Sequence, residues 1–295
     1  MSAFLQANLP YILAGISVGG QYALIAIGYT MVYGILRLIN FAHGDVFMVA
    51  GLVMVYTTAS LPIFVSIPIV IVATVLLGVI IERVAYKPLR SAPRMSVMIS
   101  AIGVSYLLQN CALYFTGGLP QVYPEIPFFS RSVTVFGATT KMVTLITPIL
   151  TVVLVVLLVL LINHTKIGMA MRAVSKDFTT SQLMGIRINS VISVTFVIGC
   201  FLAAIGSLLY FSNYTSVIPT SGAMPGLKAF VAAVFGGIGS IPGAVIGAFI
   251  IGICENIIKG IGWTTFSDAF TFVLLIVILL VKPTGIFGEK AREKV

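Results

Sequence analysis

Hydrophobic positions in this chain come in long unbroken runs, neither alternating with polar residues at the two-residue period of a half-buried strand nor confined to one stripe of a helix. The runs cover about 10–36, 43–60, 62–83, 96–116, 142–163, 190–212 and 268–281, with an interrupted apolar region at 227–258. A bilayer core of ~30 Å takes ~20 residues of helix, so these runs are long enough to cross one. Inside hydrocarbon every backbone N–H and C=O must be bonded internally, which leaves helices or closed barrels, and runs without period two select helices. The expected fold class is all-α: a polytopic membrane protein of about eight transmembrane helices. No stretch is left over to fold as a separate soluble unit, so 1–295 reads as a single transmembrane domain.

The interruption at 227–258 has its own pattern. Its middle, Phe235-Gly-Gly-Ile-Gly-Ser-Ile-Pro-Gly243, holds Gly236, Gly237, Gly239, Ser240, Pro242 and Gly243. Glycine releases the helical backbone and Pro242 removes a donor, so a broken or re-entrant hairpin is expected to turn there. Backbone broken at membrane depth survives where protein or a water-filled cavity satisfies it, so the cluster reads either as a structural hinge or as part of a permeation path. Gly15 with Gly19, and Gly239, Gly243 and Gly247, keep the four-residue spacing that lets membrane helices approach closely.

Composition agrees with the runs: 59% of the 295 residues are hydrophobic and 8% charged, against roughly 25% charged in an ordinary soluble domain, and mean hydropathy is +1.13. The net charge of +9 is distributed as topology. Arg83, Lys87, Arg90 and Arg94 form one basic group, Lys166, Arg172, Lys176 and Arg187 a second, and Lys282, Lys290, Arg292 and Lys294 a third. The positive-inside rule puts all three in the cytoplasm and the Pro-rich, aromatic loop 117–141 outside. Basic residues split among membrane-flanking loops do not make a nucleic-acid footprint. With a cytoplasmic C-terminus, 227–258 must enter from outside and return before 268–281 crosses. Residues 1–36 carry no Lys or Arg, so the side of the N-terminus stays open; lacking a basic flank and a small-residue cleavage site, that end reads as mature sequence. Cys111, Cys200 and Cys254 sit in apolar runs without CxxC spacing, as small core residues and not as disulfides or metal ligands.

Polar residues inside the apolar runs are the candidates for chemistry. Ile39-Asn-Phe-Ala-His-Gly-Asp-Val46 places Asn40, His43, Gly44 and Asp45 between the first two runs. One reading is a short connection in which Asn40 and Asp45 cap or turn and Gly44 is left-handed. The other is a helix break whose polar groups line or gate a cavity. One His beside one Asp, with no nucleophile at a recognisable spacing, does not make a catalytic or zinc site. Glu255 is expected to pair with Lys259 one turn on, while Gln109, Asn110 and Gln21 suit interhelical hydrogen bonds. The basic loop 164–189 is patterned: a helix from Met169 to Leu183, with Met169, Ala173, Val174 and Phe178 near one side, would end at Gly185. Such a helix either rests on acidic lipid or docks into a partner.

Five strings, GGQYALIAIGYTMVYGILRLINFAHGD (19–45), IERVAYKPLRS (81–91), KDFTTSQLMGI (176–186), KAFVAAVFGGIGSIPGAVIGAFIIGICE (228–255) and KPTGIFG (282–288), resemble the permease subunits of branched-chain amino acid ABC importers, in particular the first of the two permeases in such systems. The resemblance runs from the first span to the C-terminus and leaves out the outer loop. It implies a bacterial inner-membrane subunit paired with a second, homologous permease, two ATP-binding cassette subunits and a periplasmic or extracellular binding protein. It also implies that Arg172, Lys176, Asp177, Leu183, Met184, Gly185 and Ile186 form the cytoplasmic coupling element. The chain carries no GxxxxGK[ST] phosphate loop, so it is expected to be no ATPase and to hold no cofactor, ATP being bound by the partners. Relatives of similar sequence carry urea, amides or other amino acids, and a stand-alone channel or ion-coupled carrier is the reading from outside the family.

Overall fold

The computed structural model describes residues 3–90, 92–135 and 137–288. Lys290, Arg292 and Lys294 of the third basic group, and Ser91 of the second resembling string, lie outside them. Helix α1 spans Ala3–Leu36, α2 His43–Thr58 and α3 Ile63–Ile81, the last continued by a π turn at Glu82–Tyr86. Helix α4 (Arg94–Thr116) leads to an outer loop with strand β1 (Gln121–Val122), a short α5 (Pro127–Ser130) and strands β2 (Ser132–Val135) and β3 (Ala138–Lys141). Helix α6 (Met142–His164) returns to two short helices, α7 (Lys166–Lys176) and α8 (Phe178–Leu183). The chain continues through α9 (Ile188–Asn213), β4 (Ser216–Val217), α10 (Ala223–Gly236), α11 (Ile241–Gly260) and α12 (Ser267–Val281). Seven helices among the described residues are long and apolar enough to span a membrane. The small antiparallel pairs β1–β4 and β2–β3 are the sheet present, and the all-α expectation stands.

Helix α1 is the axis. Gly15 and Gly19 abut the α11 backbone at Gly252–Ile253 and Ala248–Phe249, and Tyr11 lies against Gly260, so the two helices run antiparallel in close contact. Helix α11 starts beside residues 285–288, so α1 ends on the side of that segment and begins on the opposite one; by the positive-inside rule its beginning is expected outside. Its far end agrees: Arg37 donates to the Ser175 carbonyl in the basic loop at 3.4 Å.

Two short helices depart from the expected spans. Helix α2 has 16 residues and α10 has 14, about 24 and 21 Å of helix against a core of ~30 Å. Both are too short to cross such a core, and their first turns meet where Gly44 packs on Gly222 and Gly226. The chain therefore contains an inverted repeat: a long helix, a dip and a half-helix (α1–α2), then the same with opposite direction (α9–α10). Counting outward from Gly44 and Gly222 sets Gly28 against Gly206 and Gln21 against Gly199. Both cross-contacts that a twofold relation demands, Gly199 on Gly28 and Gly206 on Gln21, are present. The hydrophobic runs could not reveal this, because an apolar half-helix and an apolar full helix differ only in where the ends sit in depth.

The basic loop departs from its single expected helix. Asp177 breaks it: its carboxylate accepts from the Thr180 amide at 3.1 Å and the Thr180 hydroxyl at 2.8 Å, capping α8. Asp favours a cap over a helix interior, because its short carboxylate competes for backbone donors. The buried face of α7 is Gly168, Met171 and Val174, whereas Met169, expected on that face, points into solvent.

Candidate functional site

Helix α1 ends at Leu36, Arg37 takes the left-handed conformation (φ 55°), and residues 38–42 lead the chain back into the protein. His43 then lies against Gly28, two turns before the end of α1, so α2 starts about 12 Å back from it. The chain thus breaks its helix at 37–42, and Gly44, left-handed in the short-connection reading, is helical and serves close approach to Gly222. Asn40, His43 and Asp45 are all 2–3% exposed. The Tyr86 hydroxyl donates to Asn40 Oδ1 at 2.7 Å. Gln109 Nε2 donates to Asp45 Oδ1 at 2.9 Å and the Ser105 hydroxyl to Oδ2. His43 packs edge-on against Tyr29, ring centroids 5.2 Å apart, and its Nε2 has no hydrogen-bond partner among the described residues. The expected role of Gln109 as an interhelical donor is met, and Gln21 likewise donates to the Leu209 carbonyl at 3.3 Å. Asn110 instead bonds its own helix at the Tyr106 carbonyl.

The glycine-rich turn lies apart from this cluster. Gly237 and Gly239 have φ of 106° and 101°, which L side chains rarely adopt. Ser240 caps α11 by accepting from the Gly243 amide at 3.2 Å, with Pro242 in the first turn. The turn sits at the inner end of α1, near Gly34. Residues 285–288 strap across it: the Ile286 and Phe287 amides donate to the carbonyls of Phe235 and Gly236 at 3.0 and 2.9 Å. Between the two regions lies a small apolar void lined by Tyr29, Tyr33, Ile39, Phe230, Ala233 and Ile238. On the cytoplasmic side, Arg172 holds α7 to the end of α6 through the Ile162 carbonyl and Asn163 Oδ1, 2.6 and 3.0 Å away. Lys176 is exposed, Ile186 packs inward, and Leu183 and Met184, ahead of the left-handed Gly185, project as an apolar knob 83% and 78% exposed.

One charged cluster escaped sequence reasoning. Glu255 does pair with Lys259, at 2.6 Å, but it is 1% exposed and also binds Lys228 Nζ at 2.8 Å and the Tyr22 hydroxyl at 3.1 Å. Lys228 in turn reaches Asp268 at 2.6 Å. The cluster ties α1, α10, α11 and α12 together. Its signal was a lysine inside an apolar run, with no local partner to mark it. A second buried carboxylate, Glu82, joins Arg90 and accepts from Ser193 at 3.0 Å, linking α3 to α9 at the inner end.

The profile described as "Branched-chain amino acid transport system / permease component" matches residues 11–279, nearly the whole arrangement of spans, breaks and loops above. The chain belongs to that permease family. The permease is 40% identical over 301 residues to the high-affinity branched-chain amino acid transport system permease protein LivH of Salmonella typhimurium, covering 95% of this chain and 96% of that protein. It is 38% identical to BraD of Pseudomonas aeruginosa, named for the same transport system, over 97% and 98% of the two chains. At 26% identity it also matches the ribose import permease protein RbsC of Haemophilus influenzae, over 91% and 83%. The permease is thus a multi-pass membrane protein of a transport family, and the strings containing NFAHGD and GGIGS-PGA fall within the matched region.

Proposed function

We propose that the permease is the membrane subunit of an ATP-driven, high-affinity importer of leucine, isoleucine and valine in the bacterial cytoplasmic membrane. It works beside a second, homologous permease, two ATP-binding cassette subunits and a binding protein that delivers substrate from outside. The observation that carries the coupling half of this reading is the α7–α8 element, two capped helices on the basic side presenting Leu183 and Met184 to solvent. An apolar knob on a chain with no phosphate loop is the shape needed to receive motion from a nucleotide-hydrolysing partner. ATP is held by that partner, and the permease has no hydrolytic role.

In this mechanism, closure of the ATPases moves α7–α8 against the inner ends of α6 and α9. The half-helices α2 and α10 then shift relative to each other about Gly44 and Gly222. Asn40, His43, Gly44 and Asp45 form the mid-membrane break. Gly236, Gly237, Gly239, Ser240, Pro242 and Gly243 form the inner hinge, released as residues 285–288 lift. The substrate class rests on the relatives at 38–40% identity; the ribose permease at 26% marks how one family carries other cargo. The test is purification of the tagged chain from its native membrane in mild detergent, then reconstitution. Recovery of ATPases and a second permease, with ATP-dependent leucine uptake that ribose does not inhibit, supports the reading. A chain recovered alone that transports in liposomes without ATP overturns it.

A further inference from the structure

The helices at the rim of the described structure, α3, α4, α6 and α12, are similarly exposed, but not similarly built. Helix α6 shows Val152, Val156 and Leu160 outward and α12 shows Val273, Ile276 and Leu280, surfaces that hydrocarbon satisfies. Helix α4 is as exposed as α6, yet its hydropathy is close to that of the buried α1. Part of the difference lies in Ser96, Ser100, Ser105 and Gln109, and part in one stripe at three- and four-residue spacing: Ile99, Gly103, Tyr106, Asn110 and Tyr114, all exposed. Asn110 turns one amide hydrogen back to the Tyr106 carbonyl at 2.8 Å, and the residue is exposed in the last two turns of α4. In hydrocarbon such an amide lacks partners, and facing helices are where they are found.

Gly103 supplies the second, independent observation. A glycine inside a helix costs about 1 kcal/mol against alanine, and a Cβ at the other glycines of these spans would meet a neighbour within 4 Å, closely in most of them, as at Gly15 against Gly252 and Ile253. A Cβ built on Gly103 meets nothing within 4 Å. Nothing in this chain requires a glycine there, so the close approach it permits comes from outside the chain. The helix's inner flank carries Ser105 and Gln109, which hold Asp45. The Asp45 network therefore sits on the flank of α4 next to the exposed stripe, Gln109 preceding Asn110 in the chain.

We infer that the Ile99–Tyr114 face of α4 is the seat of the second permease subunit, with the Asp45–Ser105–Gln109 network backing the seam between the two chains. This rests on the importer reading, because the occupant must be embedded at bilayer depth, which the ATPases and the binding protein are not. A homologous permease fits because it brings a facing helix of like construction, able to bond Asn110 and enter the groove at Gly103.

The test uses the assembled transporter, with chain and partners co-expressed. Gly103→Leu is accommodated within the isolated chain, where the added side chain meets open space, so its effect reads the partner alone. We expect the second permease recovered with the tagged Gly103→Leu chain to fall at least several-fold, while the chain's own thermal midpoint is unchanged. Leu157→Phe on α6 should leave recovery as in the wild type. In parallel, Tyr106→p-benzoylphenylalanine should give a photo-adduct with the second permease, and the same replacement at Leu157 or Val277 should give lipid adducts only. Full recovery of the partner with Gly103→Leu overturns the inference, as does an adduct to the partner from Leu157 or Val277 in place of Tyr106, or an adduct to a second copy of this chain. Those results leave the importer reading standing, because ATPases and second permease still co-purify. Loss of every partner from the wild-type chain removes that reading itself.

Discussion

Replacing Glu255 by Gln withdraws the one fully buried negative charge that two lysines share. Lys228 Nζ is 2.8 Å and Lys259 Nζ 2.6 Å from the same oxygen, and the Glu255 side chain is 1% exposed. Breaking a buried pair by removing one partner costs about 3–5 kcal/mol, because the remaining charge is left without compensation. Here Lys228 keeps Asp268 at 2.6 Å, which places Glu255→Gln at the lower end, about 3 kcal/mol. At about 2 °C per kcal/mol for a chain of this size, the thermal midpoint should fall by roughly 6 °C. Lys228→Met should cost less, since Glu255 retains Lys259 and Tyr22 while Asp268, 47% exposed, rehydrates. Lys259→Met should cost least, about 0.5 kcal/mol, as the partly exposed i,i+4 partner whose loss leaves Glu255 its Lys228 and Tyr22 contacts. The double variant Lys228→Met/Glu255→Met removes both buried charges in apolar surroundings and should recover most of the loss. Cys111, expected in the core, is exposed; in a Cys111→Ala background, a thiol-reactive dye that fluoresces on reaching Cys200, 2% exposed between α3 and α9, reads the transition in detergent. An inverted order among the single variants, or a double variant no better than Glu255→Gln, would refute the argument.

Asp45→Leu removes the acceptor of both Ser105 and Gln109, an expected loss of about 1–3 kcal/mol for each stranded donor, seen as a lower midpoint that Asp45→Asn largely restores. Asp177→Ala removes the α8 cap, about 1 kcal/mol of local helix stability; substrate-stimulated ATPase activity of the assembled transporter should drop while the midpoint of the membrane helices holds, and undiminished stimulation would count against α8 as the coupling element. Gly237→Ala forces a side chain onto φ 106° and against the Gly288 amide, a strain of about 1–3 kcal/mol. It should loosen the 285–288 strap and raise chymotrypsin cleavage after Phe287 several-fold, whereas an unchanged rate would show that the strap does not depend on this turn.

The spans were legible because hydrocarbon leaves a chain few choices: long apolar runs became helices, and Gly236–Gly243 became the turn where glycine and proline release the backbone. The loop 39–46 announced a break by its polar residues. What stayed hidden depends on position in three dimensions. Nothing in HGDVFMVAGLVMVY marks α2 as starting at mid-membrane, since its apolar residues suit any depth. The pairing of Lys228 with Glu255 joins residues on two helices with no fixed spacing, whereas the Glu255–Lys259 half of the same cluster, one turn apart, was readable. Asp177 was in plain view as a cap residue, but the apolar pattern of 169–183 outweighed it, and the physics of the cap prevailed. The inverted repeat left glycines at corresponding places and little else.

The pairing of α1 with α11 sets an order for biosynthesis. Tyr22 and Glu255 lie 233 residues apart in the chain, so α1 enters the bilayer long before its principal neighbour has been made. Until then its glycine face and the buried Ser17 and Gln21 stand among lipids or insertion machinery that do not satisfy them. A ribosome stalled anywhere before residue 241 leaves a nascent chain with its central helix unseated. Such a chain offers quality-control proteases a substrate whose membrane segments are all present up to the stall and whose defect is only the absence of their keystone.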